Sequence, residues 1–157
     1  MPKITDSTVL SAEDIKWRNR SFFRNPEHTY ITNHPSPRMT RRKIENVRNS
    51  DLRRVIRGLP EDEHLYSQCA LWVHALAGKQ FFPDANHRTS MLTLQYLLEE
   101  NGVTVSDWPG QGIEETIRES KEFLRSAGAR RLDQLWEKDP LYTIWLDHFV
   151  QLFRSRS

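Results

Sequence analysis

Apolar positions along this chain recur at intervals of three and four residues, the repeat of helices that bury one face. Leu65, Cys69, Trp72 and Leu76 fall on one face of a helix predicted from about Asp62 to Ala77, with Gly78 closing it. Near the C-terminus Tyr142, Trp145, Phe149 and Leu152 form a second stripe, on a helix opened by Asp139-Pro140. A helix predicted from about Arg88 to Asn101 is apolar around much of its circumference (Met91, Leu92, Leu94, Tyr96, Leu97, Leu98), which marks it as the central buried helix. Asn101-Gly102 ends it.

The remaining elements are shorter or less patterned. Ser11 as N-cap, with Asp14 in the first turn, opens a helix. One helix is predicted from about Thr40 to Arg57, with Ile44, Val47, Val55 and Ile56 inward and Gly58 and Pro60 as the stop. Ile113, Ile117 and Leu124 mark another to about Ser126, and Gly128 separates it from a short helix carrying Leu132, Leu135 and Trp136. Residues 28–38 hold two prolines and several cap-forming side chains, so they read as a loop or a short β-hairpin. Val103–Val105 is at most a short extended piece, and Asp107-Trp108-Pro109-Gly110 is a turn. The expected fold is an all-α bundle in a single domain over residues 1–157, without repeats or linkers.

Composition adds limits. A chain of 157 residues suits one core, and five Trp, seven Phe and four Tyr can fill it. The lone cysteine, Cys69, excludes an intrachain disulfide and a thiolate metal cluster, and its apolar setting makes it a core residue. No run approaches the roughly 20 apolar residues of a membrane span, and none resembles a signal peptide, so a cytoplasmic protein is expected. Residues 1–60 carry 13 Lys/Arg against 6 Asp/Glu, and residues 61–157 carry 10 against 15. A basic half fits an anionic partner, although arginine-rich helix faces also serve solubility alone. The alternative of a basic helical nucleic-acid binder would use Arg41, Arg42, Lys43, Arg48, Arg53, Arg54 and Arg57. Positions 41 and 48 do not share a face with 42 and 57, so no single stripe results.

The chemistry concentrates in the turn before the helix at Arg88. The first N–H groups of a helix lack intrahelical partners, and its dipole favours anions there. Ala85 is small enough for close approach to the backbone. Asn86 can cap the helix or hold the turn. Arg88 can grip a phosphate with two parallel hydrogen bonds. Asp84 can hold a divalent metal or position a hydroxyl, and His87 can donate to an anion or shuttle a proton. The same Asp-Ala-Asn is equally an ordinary capping turn.

This stretch, Gln80-Phe81-Phe82-Pro83-Asp84-Ala85-Asn86-His87-Arg88, resembles the signature of the Fic/Doc (death-on-curing) family, His-x-Phe-x-(Asp or Glu)-(Gly or Ala)-Asn-(Gly or Lys)-Arg. Phe82, Asp84, Ala85, Asn86 and Arg88 match. Ala85, Thr89 and the following Leu-Leu-Glu-Glu-Asn-Gly look more like the Doc branch than the larger Fic enzymes. The resemblance covers about residues 65–105. It implies transfer of a phosphoryl or AMP group from ATP or another nucleotide, with Mg²⁺, to a hydroxyl of a target protein. It also implies a toxin-like setting with an antitoxin as partner. By the match, Asp84 binds the metal or orients the phosphates. Asn86 and the Ala85–Arg88 backbone form an anion hole, Arg88 holds a phosphate, and Phe82 anchors the loop. A hairpin that clamps the target peptide, the flap, would fall at about Tyr30–Met39.

Two positions depart from the pattern. The family histidine takes the proton from the target hydroxyl, and here that position is Gln80, which has no titratable site near neutral pH. Losing a general base costs about 10²–10⁴-fold in rate. Three explanations stay open: an inactive member that binds a nucleotide or a partner, a different base (His87 or His74), or an introduced inactivating substitution. At the second position His87 replaces Gly or Lys, and its ring would contact a phosphate. His74 lies earlier on the preceding helix, where a packed structural role is expected.

Overall fold

In the computed structural model, which describes residues 2–25, 27, 30 and 36–154, the chain runs through α1 (Ala12–Arg24), α2 (Pro37–Glu45), α3 (Asn49–Gly58), α4 (Leu65–Lys79), α5 (Asn86–Glu100), α6 (Ile113–Ala127) and α7 (Pro140–Arg154). Short 3-10 turns sit at Ser7–Val9 and Leu132–Gln134. The protein is all-helical, and no strand occurs among the described residues. No helix among them is long and apolar enough to cross a membrane.

The centre of the bundle is α4, not α5 as the apolar circumference of α5 suggests. Thirteen of the fifteen residues of α4 are buried, against eight of fifteen in α5. The reason is position: α7 and α5 both pack along α4, while Tyr96 and Gln95 of α5 keep a partly open flank. Polar groups tie the three helices where they meet. Trp72 Nε1 donates to Thr93 Oγ1 (3.0 Å), and the Ser67 and Tyr142 hydroxyls pair at 2.8 Å. The α7 stripe of Tyr142, Trp145, Phe149 and Leu152 is buried as its spacing predicts. Cys69 is fully buried in the same core, which pushes its thiol pKa up and leaves it un-ionised at neutral pH.

Three boundaries differ from the pattern along the chain. The single helix expected from Thr40 to Arg57 is two helices, broken at Asn46–Arg48, with Arg48 extended. On either side of the break Ile44 of α2 and Leu52, Val55 and Ile56 of α3 are buried, and both helices pack against α1. Lys16 of α1 reaches the end of α2 and donates to the Glu45 carbonyl (2.9 Å). The break also sends the arginines of this region along two helix axes. The flap expected at about Tyr30–Met39 falls largely outside the described residues, and at its far end Pro37–Met39 are the first turn of α2, with Ser36 as N-cap.

The third difference is Gly78. It does not end α4, which continues to Lys79. Its backbone lies against α7 and the segment before it. A Cβ there would sit 2.9 Å from Arg130 Cγ and 3.1 Å from Leu141 Cδ2, and the Arg130 N–H donates to the Gly78 carbonyl at 2.7 Å. Glycine is required by close approach rather than by a turn. We expect Gly78→Val to destabilise the protein by about 1–3 kcal/mol through overpacking, read as a lower urea midpoint. An unchanged midpoint would mean that the junction with α7 has slack.

Candidate functional site

The α4–α5 connection turns on two left-handed residues, Gln80 (φ 56°) and Ala85 (φ 60°). Neither is glycine, so the surroundings must impose the conformation. They do so with side-chain hydrogen bonds. The Asn86 carboxamide pairs with one peptide of the loop in both directions: Phe82 N–H donates to Oδ1 (3.0 Å) and Nδ2 donates to the Phe82 carbonyl (2.9 Å). Asn86 therefore holds the turn. Phe82 is buried below it and anchors the loop in the core.

Asp84 is clamped from outside the loop. Asn19 of α1, fully buried, donates through Nδ2 to the Asp84 carbonyl and to Thr89 Oγ1, both at 2.9 Å. The Tyr30 hydroxyl accepts from Asp84 N–H (3.2 Å) and donates to Asn19 Oδ1 (3.3 Å). Burial, reinforced by the Asp84 charge, raises the Tyr30 pKa, so the phenol stays protonated and can serve as that donor. The Asp84 carboxylate accepts from Ala85 N–H (2.7 Å). Ala85 offers no side-chain cap to α5, and the first turn of α5 carries no acid, so the Asp84 carboxylate just before the helix is the acidic group that the local sequence sets at its N-terminal end. The Arg88 guanidinium lies over the Phe22 ring of α1, 5.3 Å from its centroid.

The loop forms one wall of a cleft of about 760 Å³, lined on this side by Gln80 and by Phe82 through Arg88. Gln80 is exposed there. The facing wall is α6, through Ile117, Lys121, Leu124 and Arg125, and Glu27 also borders the space. Gln80, Phe82, Asp84, Ala85, Asn86, His87 and Arg88, neighbours in the sequence motif, all line this cleft, and the α6 wall and the Asn19–Tyr30 clamp lie outside that motif. Two signals were present: Asn19 is a polar residue on the buried face with Ala12 and Ile15, and Ile117, Lys121 and Arg125 recur every four residues.

The two histidines sit apart from any role as a base. His87 is buried, with its Nε2 2.7 Å from Ser120 Oγ of α6, and the same oxygen accepts from Trp145 Nε1 at 3.2 Å. Burial pushes the His87 pKa down from 6.5 to about 4, and Lys121 adds to the shift, so the ring is neutral and a weak base. His74 does not line the cleft. It is fully buried, Nδ1 donates to the Leu135 carbonyl (2.8 Å) and Nε2 meets the Asp139 carboxylate (3.0 Å). Burial alone would raise the Asp139 pKa, but His74, the Tyr142 N–H and Arg130 together hold it below the usual carboxylate value.

Comparison with models of known protein families, with curated proteins and with solved structures returns no match to this chain.

Two outcomes follow from the clamp and from His87. Asn19→Ala leaves the Asp84 carbonyl and Thr89 hydroxyl without their buried partner and should cost about 1–3 kcal/mol in urea denaturation. A cost near zero would show that the loop is held by other means. The folded chain resists protonating His87, whereas the unfolded chain takes the proton near pH 6.5. Stability from this group is complete above that pH and declines as pH falls toward about 4. The loss between pH 7 and pH 5 is on the order of 2 kcal/mol, and His148, also shifted down by burial, acts in the same direction. His87→Asn should show a smaller drop in urea midpoint over that interval, and an equal drop would remove His87 as its source.

Proposed function

We propose that this chain is a Fic/Doc-like protein whose cleft holds the phosphates of a nucleotide at the start of α5, and whose group-transfer chemistry is silenced at Gln80. The observation that supports this reading is the cleft itself: Asp84, the open end of α5 and Arg88 border one space, with Gln80 exposed on the same wall. A volume of about 760 Å³ suits a nucleotide-sized ligand. The donor set fits phosphate, with a helix N-terminus and a guanidinium. Asp84 also fits Mg²⁺, an ion that takes one or two carboxylates and fills its shell from phosphates and water. No group of three or more His, Cys, Asp or Glu forms an all-protein metal cage among the described residues. Bound Mg²⁺ would offset the negative charge of the phosphates.

Gln80 can donate or accept a hydrogen bond at a target hydroxyl but cannot take its proton. Neither of the two candidate histidines replaces it: His87 is neutral, buried and bonded to Ser120, and His74 is engaged by Leu135 and Asp139. A hydroxyl-bearing target protein and an antitoxin belong to this reading as partners. No feature favours the nucleic-acid alternative, since Arg41, Arg42 and Lys43 lie on α2 and Arg53, Arg54 and Arg57 on α3.

Gln80→His tests the reading. With a histidine there, the ring takes the hydroxyl proton as the oxygen attacks phosphorus. ADP leaves if the γ phosphorus is attacked, and pyrophosphate leaves if the α phosphorus is. Both proteins are incubated with cell lysate, Mg²⁺ and ATP labelled at the α or γ phosphate. Labelling of a protein by Gln80→His alone, at least about 10²-fold above the parent, is the expected result, and the label position names the group moved. Labelling by the parent chain would show another base at work. No labelling by either would overturn the transfer chemistry.

A further inference from the structure

We infer that α6 supplies the second half of a polyphosphate site: Lys121 and Arg125 hold the phosphates beyond the one taken at Arg88, so the cleft selects nucleoside di- and triphosphates over monophosphates. This rests on the phosphate reading of the loop before α5.

Lys121 and Arg125 are one helical turn apart on α6 and both border the cleft, beside Ile117 and Leu124. Four residues of helix separate their Cα atoms by about 6 Å along the axis. Arg88 belongs to the opposite wall, with its guanidinium over Phe22 of α1. A ligand that satisfies both walls must therefore be anionic at more than one position. Glu115 and Glu122 on the adjoining stripe of α6 pair with Arg118, and no ion pair involves Lys121 or Arg125 among the described residues. Among the described residues the carboxylates bordering the cleft are Asp84 and Glu27, against the three cations Arg88, Lys121 and Arg125, and His87 is neutral, so this part of the lining is net positive. Two long, exposed cationic side chains facing a cleft can also be merely solvated. The number of phosphates recognised separates the two cases, because solvated cations leave affinity independent of that number.

The experiment measures binding of ATP, ADP, AMP and pyrophosphate, with Mg²⁺, to the full chain by calorimetry. It compares the parent with the double variant Lys121→Gln/Arg125→Gln, the charge-keeping Lys121→Arg/Arg125→Lys, and Arg88→Gln. Both α6 positions are exposed, and a thermal melt confirms that each variant is folded. The neutral double variant should bind ATP and pyrophosphate at least about tenfold more weakly and AMP less than about threefold more weakly, with the charge-keeping variant near the parent. If ATP and AMP weaken equally, or neither weakens, the α6 assignment is overturned. Loss of binding in Arg88→Gln alone would then leave the loop reading standing. If the parent binds none of the four probes, both readings fall together.

Discussion

Every buried backbone N–H and C=O needs a partner, and in a bundle without a sheet the segments between helices have no ladder to provide one. Side-chain carboxamides supply the partners here. Gln68 of α4 pairs with the Ile4 peptide in both directions (2.9 and 2.8 Å) and with the Pro60 carbonyl, which docks the N-terminal segment on the central helix. Asn101, at the end of α5, accepts from the N–H groups of Thr5 and Asp6 at 3.0 Å and donates to the Asp6 carbonyl. Asn86 does the same for Phe82, and Asn19 donates to the Asp84 carbonyl. Removing Gln68, Asn86 or Asn19 leaves a buried or half-buried peptide group without its partner, which costs more than the bond itself contributes, whereas the Asn101 bonds lie at the surface.

The loop before α5 depends on this most. It is short, it contains two non-glycine residues in the left-handed region, and it ends a helix and starts another. Its shape comes from three directions: Phe82 into the core below, Asn86 across the turn, and Asn19 with Tyr30 from α1. A loop held this way presents a fixed backbone to the cleft, so a ligand there would pay little ordering entropy. The same packing withdraws His87 from solvent into contact with Ser120 and Trp145, which leaves charge in the cleft, among the described residues, to Asp84, Glu27, Arg88 and the two cations of α6.

The uneven charge along the chain takes a different meaning in three dimensions. The surplus of Lys and Arg in residues 1–60 lies largely on the outward faces of α2 and α3, split by the break at Asn46–Arg48. Of the cations that border the cleft among the described residues, Arg88 comes from the first turn of α5 and the other two come from α6, in the more acidic part of the chain. Net charge by segment therefore did not locate the electropositive wall, because helix phase decides which charges share a face.

Local information was sufficient for the all-α class, the Ser11 cap of α1, the aromatic stripe of α7, the burial of Cys69 and the loop residues from Gln80 to Arg88, since each is encoded within one or two helical turns. Packing between elements decided the rest. Continuous helical propensity across residues 40–57 hid the break between α2 and α3. Gly78 read as a stop because close approach of Arg130 and Leu141 is a long-range contact. The centre of the bundle passed from α5 to α4 because burial depends on how many neighbours surround a helix, not on its own circumference. The α6 wall, the Asn19–Tyr30 clamp and the neutral state of His87 are likewise products of tertiary contact: they join residues far apart in the chain, and no spacing rule carries that distance.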